Sequence, residues 1–171
     1  MKIVLLGYMA SGKSTVGKLL ASRLGMDFLD LDSAIEKFEN KTIKDIFAEK
    51  GEIYFRKLEN QMLTRALEEN GSLILATGGG TPVYGNNMQT ILDRSDHSVY
   101  LQLSIPELVS RIAKEKETRP LVRDLAGEDL PEFIGKHLFE RIPFYSRAQF
   151  VLDCNGKDAQ TVASELEKLL F

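Results

Sequence analysis

Nothing narrows the fold of this chain more than the nine residues Gly7-Tyr8-Met9-Ala10-Ser11-Gly12-Lys13-Ser14-Thr15. They fit the pattern G-x-x-x-x-G-K-S. They also stand in its required setting, after the apolar run Ile3-Val4-Leu5-Leu6 and before the helical spacing of Val16, Leu19, Leu20 and Leu24. Gly7 and Gly12 let the backbone turn its N–H groups inward and form an anion nest. The N-terminus of the next helix adds a positive dipole end. Ala10, Ser11, Gly12, Lys13, Ser14 and Thr15 are thus the candidate cradle for the phosphates of ATP. Lys13 supplies a point charge to the β- and γ-phosphates, Ser14 offers a hydroxyl to magnesium, and Thr15 can reach a further phosphate oxygen. A plain strand-turn-helix start would need none of these side chains. A secretory leader is the competing reading of Lys2 and the apolar residues after it, but Gly7 cuts the run short and no convincing cleavage site follows.

Around this loop the rest of the chain reads as alternating strands and helices. Strands are expected at 2–6, 26–31, 72–76, 98–103 and 150–152. Helices are expected at 13–24, 33–38, 43–50, 51–69, 86–94, 106–116, 130–147 and 158–170, with Thr42 capping the third. The strands are continuous apolar runs, which predicts a parallel sheet covered by helices on both faces. In such sheets ligands bind beyond the carboxyl ends of the strands. Residues 117–128 hold charges, Pro120 and Gly127 with few core candidates, and read as a mobile loop. One domain spanning 1–171 suits the length, and a chain of this size buries roughly 70% of its extended surface.

Charge and composition then exclude several classes of partner. The net charge of −3 gives no general electrostatic reason to bind nucleic acid or anionic membrane. No apolar segment reaches membrane-spanning length. Cys154 is the only cysteine, which rules out an internal disulfide and suits a reducing compartment; it reads as a small buried side chain.

Chemistry-bearing residues follow the strand ends. Asp30-Leu31-Asp32 closes the second strand, and residues two apart in an extended segment point to one side. One carboxylate could then serve a magnesium-bound water and the other a hydroxyl proton; the equal alternative is that Asp32 caps the following helix. Gly78-Gly79-Gly80 closes the third strand, either as close backbone approach to a ligand or as a flexible loop. Arg56, Arg141 and Arg119 are candidates for anion recognition, with Arg111 and Arg123 as rivals and solvated surface charge as the bland reading. Glu59 is placed to orient Arg56 by i,i+3 geometry or to form a surface pair. His97 and His137 have no ligand-like partners nearby in sequence.

Taken together, Gly7 to Thr15, Asp30-x-Asp32, Gly51-Glu52-x-x-Phe55-Arg56, Thr77-Gly78-Gly79-Gly80, Thr118-Arg119-Pro120-Leu121 and Arg141-x-x-x-Tyr145 resemble shikimate kinase over nearly the whole chain. The resemblance implies a P-loop kinase fold of the nucleoside-monophosphate-kinase type, α/β in three layers, with a five-stranded parallel sheet of order 2-3-1-4-5. It implies transfer of the ATP γ-phosphoryl group to the 3-hydroxyl of shikimate. By the same resemblance Ser14 and Asp30 are the magnesium positions. Asp32 is the hydroxyl binder and candidate base, and Arg56 and Arg141 meet the shikimate carboxylate. Gly78, Gly79 and Gly80 are the substrate-side backbone, and Arg119 is the lid arginine on ATP. Lys13, Asp32 and Arg119 are therefore the candidate catalytic residues, the acceptor segment is about 32–60, and the lid about 117–128. A cytoplasmic monomer is expected, with no nucleic-acid or membrane partner. The alternatives are another small-metabolite kinase of the same fold, such as a gluconate-type kinase, and a nucleotide-binding module without turnover.

Overall fold

A computed structural model describes residues 1–115, 119 and 121–171. The element order is β1 (Lys2–Leu6), α1 (Lys13–Leu24), β2 (Asp27–Asp30), α2 (Leu31–Glu39), α3 (Ile43–Glu68), β3 (Leu73–Ala76), α4 (Asn87–Arg94), β4 (His97–Gln102), α5 (Ile105–Glu115), α6 (Leu130–Tyr145), β5 (Phe150–Asp153) and α7 (Ala159–Leu170). A short 3₁₀ turn, Thr81–Val83, follows β3. The strands form one five-stranded sheet of order β2-β3-β1-β4-β5, and every pairing is parallel.

The pleat explains why β1 is apolar throughout. Alternate residues of a strand face opposite sides. Ile3 and Leu5 pack into one core with residues of α1, α5, α6 and α7. Val4 and Leu6 pack into a second core with residues of α2, α3 and α4. Ile74 and Leu75 of β3 divide between the two cores in the same way. A central parallel strand buried on both faces has no place for an unpaired polar group, and the one charged residue of β1, Lys2 at its start, is buried with its Nζ donating to the Ala66 carbonyl at 3.2 Å.

Register brings three chemically important ends level. Asp30 of β2 pairs with Ala76 of β3, and Ala76 pairs with Leu5 of β1. The phosphate loop, the Asp30 region and the glycine run therefore leave the sheet at one edge.

Several local expectations change. The second strand ends at Asp30, and α2 begins at Leu31. Asp30, not Asp32, is the helix cap: its Oδ1 accepts from the backbone N of Ser33 at 3.0 Å. Asp32 thus sits in the first helical turn, and strand alternation is not what brings the two carboxylates together. The helices expected at 43–50 and 51–69 are met: α3 is two helices joined across a kink at Gly51, whose φ 83° and ψ 171° are non-helical and open to glycine. Thr42 caps α3 as expected, accepting from Asp45 N at 3.1 Å.

Of the loop expected at 117–128, Glu117, Thr118 and Pro120 lie outside the described residues. The remainder is better anchored than its composition indicates. Val122 is 0% exposed and belongs to the same core as α5 and α6, with Leu125 packed against it. One β-branched residue inserted between helices holds a segment that a count of apolar residues would leave loose.

Candidate active site

The phosphate loop is shaped by its backbone. Gly12 takes the left-handed conformation at the N-terminus of α1 (φ 89°, ψ 11°), where a side chain would be strained. Ala10 is also left-handed, at φ 62°. Lys13 is buried, and its Nζ donates to the carbonyls of Gly7 (2.8 Å) and Tyr8 (3.0 Å). Burial pulls its pKa down to about 8, with the charges of Asp32 and Asp30 acting in the opposite direction.

A cavity of about 470 Å³ opens beside this loop. Met9, Ala10, Gly12, Lys13, Ser14 and Thr15 line one side; Asp30, Asp32, Thr77, Gly78 and Gly79 line another; Arg111, Lys114, Glu115 and Arg119 complete it. Ser14 donates its hydroxyl to Asp30 Oδ2, so one hydroxyl and one carboxylate share a point next to the phosphate cradle. That pair suits magnesium, which keeps several waters and takes further ligands from substrate phosphates instead of a full protein cage. Burial pushes the Asp32 carboxyl up to about 6, with the neighbouring Asp30 and Glu59 charges adding to the effect. A carboxylate with that pKa is a competent proton acceptor near neutral pH.

The glycine run has a steric reason at each position. A Cβ on Gly78 would stand 2.7 Å from Asp32 Oδ1. On Gly79 it would stand 2.9 Å from Arg141 Nη1, and on Gly80 it would stand 3.0 Å from Arg56 Nη2. Three successive residues therefore receive the three side chains that the sequence assigned to the acceptor. This is close approach of side chains to a bare backbone, and it removes the flexible-loop alternative. Arg141 is buried, with its guanidinium 5.6 Å from the centre of the Tyr8 ring. Arg56 donates from Nη1 to Glu59 Oε1 at 2.9 Å, and Glu59, only 1% exposed, also accepts from Thr81 Oγ1 at 2.8 Å. The i,i+3 role for Glu59 is thus met, and the pair is internal. Arg56 borders a second cavity of about 420 Å³ with Lys57, Asn60, Tyr84 and Asn87.

The rival arginines separate. Arg119 reaches the main cavity while its Nε donates to Glu115 Oε2 at 2.9 Å. Arg111 lies there too, reaching the Ala10 carbonyl at 3.4 Å and the Lys157 carbonyl at 3.5 Å. Arg123 is away from it and pairs with its neighbour Asp124 at 3.7 Å. His137 has a partner that sequence distance concealed: its Nδ1 lies 2.8 Å from the Tyr8 hydroxyl. His97 packs on Phe150. Cys154 is buried, and burial pushes its thiol up to about 11.

Sequence reasoning missed the supports. Tyr145 donates its hydroxyl to the Gly79 carbonyl at 2.6 Å and packs on Tyr100 at 5.0 Å. Its spacing from Arg141 was a visible signal. Thr81, Tyr84 and Tyr8 gave none, because each acts through a residue distant in sequence.

A parallel sheet of order 2-3-1-4-5, with a phosphate-binding loop after its first strand and an acidic pair at the next strand end, defines a P-loop kinase. The shikimate kinase family model matches residues 9–170. The shikimate kinase of Flavobacterium psychrophilum is 42% identical over 170 residues, covering 99% of both chains. The crystal structure of shikimate kinase from Bacteroides thetaiotaomicron superposes with a TM-score of 0.93 at 34% identity, covering 99% of this chain and 98% of that one. Shikimate kinase from Acinetobacter baumannii, solved in complex with shikimate, gives 0.89 at 33% identity over 99% of this chain and 92% of that one. The chain belongs to the shikimate kinase family.

Proposed function

We propose that this protein transfers the γ-phosphoryl group of ATP to the 3-hydroxyl of shikimate, giving shikimate 3-phosphate and ADP, on the route to chorismate and the aromatic amino acids. The observation that carries the reading is the convergence of Asp32, Arg141 and Arg56 on Gly78, Gly79 and Gly80, beside Lys13. One carboxylate flanked by two guanidiniums complements an acceptor that is both a polyol and a carboxylate anion.

Phosphoryl transfer asks mainly for positioning and charge stabilisation. Lys13 and the loop N–H groups hold the β- and γ-phosphates. Arg141 and Arg56 hold the acceptor carboxylate, and Asp32 accepts a hydrogen bond from the acceptor hydroxyl. As the hydroxyl oxygen bonds to the γ-phosphorus, its proton passes to Asp32 and the bond to the ADP oxygen breaks. Arg119 stabilises charge on the transferring group and on ADP. Ser14 and Asp30 would hold magnesium, which supplies charge neutralisation between the phosphates. The acceptor-binding segment is 32–60, since Asp32, Arg56 and Glu59 all fall in it.

Action as a monomer is part of the same proposal. Use of ATP as co-substrate supports a place in the cytoplasm. Among the described residues no helix is long and apolar enough to cross a membrane.

The test is coupled ADP release with shikimate, gluconate and nucleoside monophosphates as acceptors. Release should depend on shikimate and on magnesium. Faster turnover with gluconate or a nucleotide would replace the acceptor, and nucleotide binding without acceptor-dependent release would make the protein a binding module.

A further inference from the structure

Arg56 is held by more than its carboxylate partner. Three residues on one side of α3 tie down the loop that follows the glycine run. Glu59 takes the Thr81 hydroxyl, Asn60 Nδ2 donates to Asn87 Oδ1 at 2.7 Å, and Asn87 in turn donates to the Thr81 carbonyl at 2.9 Å. Arg56 makes the fourth contact of this set. Its guanidinium carbon lies 3.7 Å from the centre of the Tyr84 ring, with Phe55 at 5.1 Å and Phe47 at 6.0 Å. Its Nη1 is engaged by Glu59, and its Nε is buried without a hydrogen bond, with the carboxylate oxygen Glu52 Oε1 at 3.9 Å. A buried donor left unpaired is costly. The Glu52 charge and the surrounding π faces offset that cost, and among the rings Tyr84 is by far the nearest.

Tyr84 has little other reason to be aromatic. It is 37% exposed, sits at the end of the 3₁₀ turn and precedes the left-handed Gly85. A large ring left partly in water, yet with its centre 3.7 Å from a guanidinium carbon, acts as a plate that limits how that group can turn.

We propose that Tyr84 is a positioning residue for acceptor recognition: its ring holds the Arg56 guanidinium in the plane from which it meets the acceptor carboxylate. Glu59 fixes one edge of the fork and Tyr84 fixes one face, so little rotamer freedom remains to be lost when the acceptor binds. The inference rests on the reading that Arg56 binds that carboxylate.

The experiment is a kinetic cycle of Tyr84→Leu, Tyr84→Phe, Arg56→Ala and the Tyr84→Leu/Arg56→Ala double variant, each checked by its melting temperature. Tyr84→Gln replaces the leucine variant if that one does not fold. Tyr84→Leu should raise the shikimate KM roughly three- to tenfold, with kcat and the ATP KM within about twofold. Tyr84→Phe keeps the π face and should restore the shikimate KM. On the Arg56→Ala background the leucine substitution should add nothing, since the group it positions is gone. An unchanged shikimate KM in Tyr84→Leu, an equal loss in Tyr84→Phe, an equal rise in the ATP KM, or the same effect without Arg56 would each overturn the role. If Arg56→Ala itself leaves the shikimate KM unchanged, the carboxylate reading of Arg56 fails, and the positioning role falls with it.

Discussion

Asp32 Oδ1 lies 2.7 Å from the point where Gly78 would carry a Cβ, so the candidate base occupies space that any other residue at 78 would claim. The same relation joins Gly79 to Arg141 and Gly80 to Arg56. Conformational freedom is the smaller part of why this run is glycine. The side chains of Asp32, Arg141 and Arg56 crowd the volume that three methyl groups would take.

Alanine substitution in the run should therefore injure acceptor recognition selectively. Gly79→Ala pushes on the Arg141 guanidinium and should lower kcat/KM for shikimate by roughly 10–100-fold, the cost of a displacement on the ångström scale. ATP affinity without acceptor should stay near normal. Steady-state kinetics with each substrate varied in turn decides it, and a loss confined to ATP would contradict the steric account.

The pH profile follows from two groups with opposite requirements. Asp32, with its pKa near 6, accepts a proton only when ionised, so the rate falls as pH drops through that value. Lys13, with its pKa near 8, carries its charge only below that value, so phosphate binding weakens as pH rises through it. The kcat/KM profile, which reports groups of the free enzyme, should be a bell with limbs near these values. Bound phosphates favour the charged lysine, so the alkaline limb of kcat should move to higher pH. A missing limb would remove the assignment of its group, and a profile flat across both values would remove both.

Arg119 stands in the cleft beside the phosphate loop while paired with Glu115. A cation that engages mainly as charge develops on the transferring group changes turnover more than binding. Arg119→Ala should lower kcat by ~10³, by analogy with an arginine finger, and change the shikimate KM far less. A nearly unchanged kcat would leave Arg119 a surface residue paired with Glu115.

Ala10 adopts a left-handed backbone at φ 62°. An alanine there costs roughly 1–2 kcal/mol. Glycine relieves the strain but adds freedom to the unfolded chain, so Ala10→Gly should gain roughly 0.5–1 kcal/mol, or about 2–4 °C per kcal/mol in melting temperature. Calorimetry checks this, and a lower melting temperature would show that the loop does not hold strain at Ala10.

What could be read from the chain divides along a physical line. The phosphate loop and the alternation of strand and helix were legible because each has a local pattern, whereas the sheet order came only with the resemblance to shikimate kinase. Asp30, Asp32, Arg56 and Arg141 were legible as candidates, but the path by which they meet was not. The two aspartates reach the cleft through a helix cap and a first turn, and strand alternation does not describe them. The His137–Tyr8 contact spans 129 residues in sequence, and the Tyr84–Arg56 stack joins a loop to a helix. Neither leaves a periodic trace. Val122 escaped notice because one buried residue in a charged stretch carries no pattern.

The central claim is that Asp32 serves the acceptor hydroxyl while Lys13, Ser14 and Asp30 serve ATP. The most direct test compares Asp32→Asn with the unsubstituted protein, with turnover, ATP binding and shikimate binding measured separately. Asparagine keeps the shape but takes no proton. The account predicts that kcat falls by about 10²–10⁴ or shikimate binding weakens, with ATP binding intact. Loss of ATP binding with shikimate binding untouched, or turnover close to that of the unsubstituted protein, would contradict it.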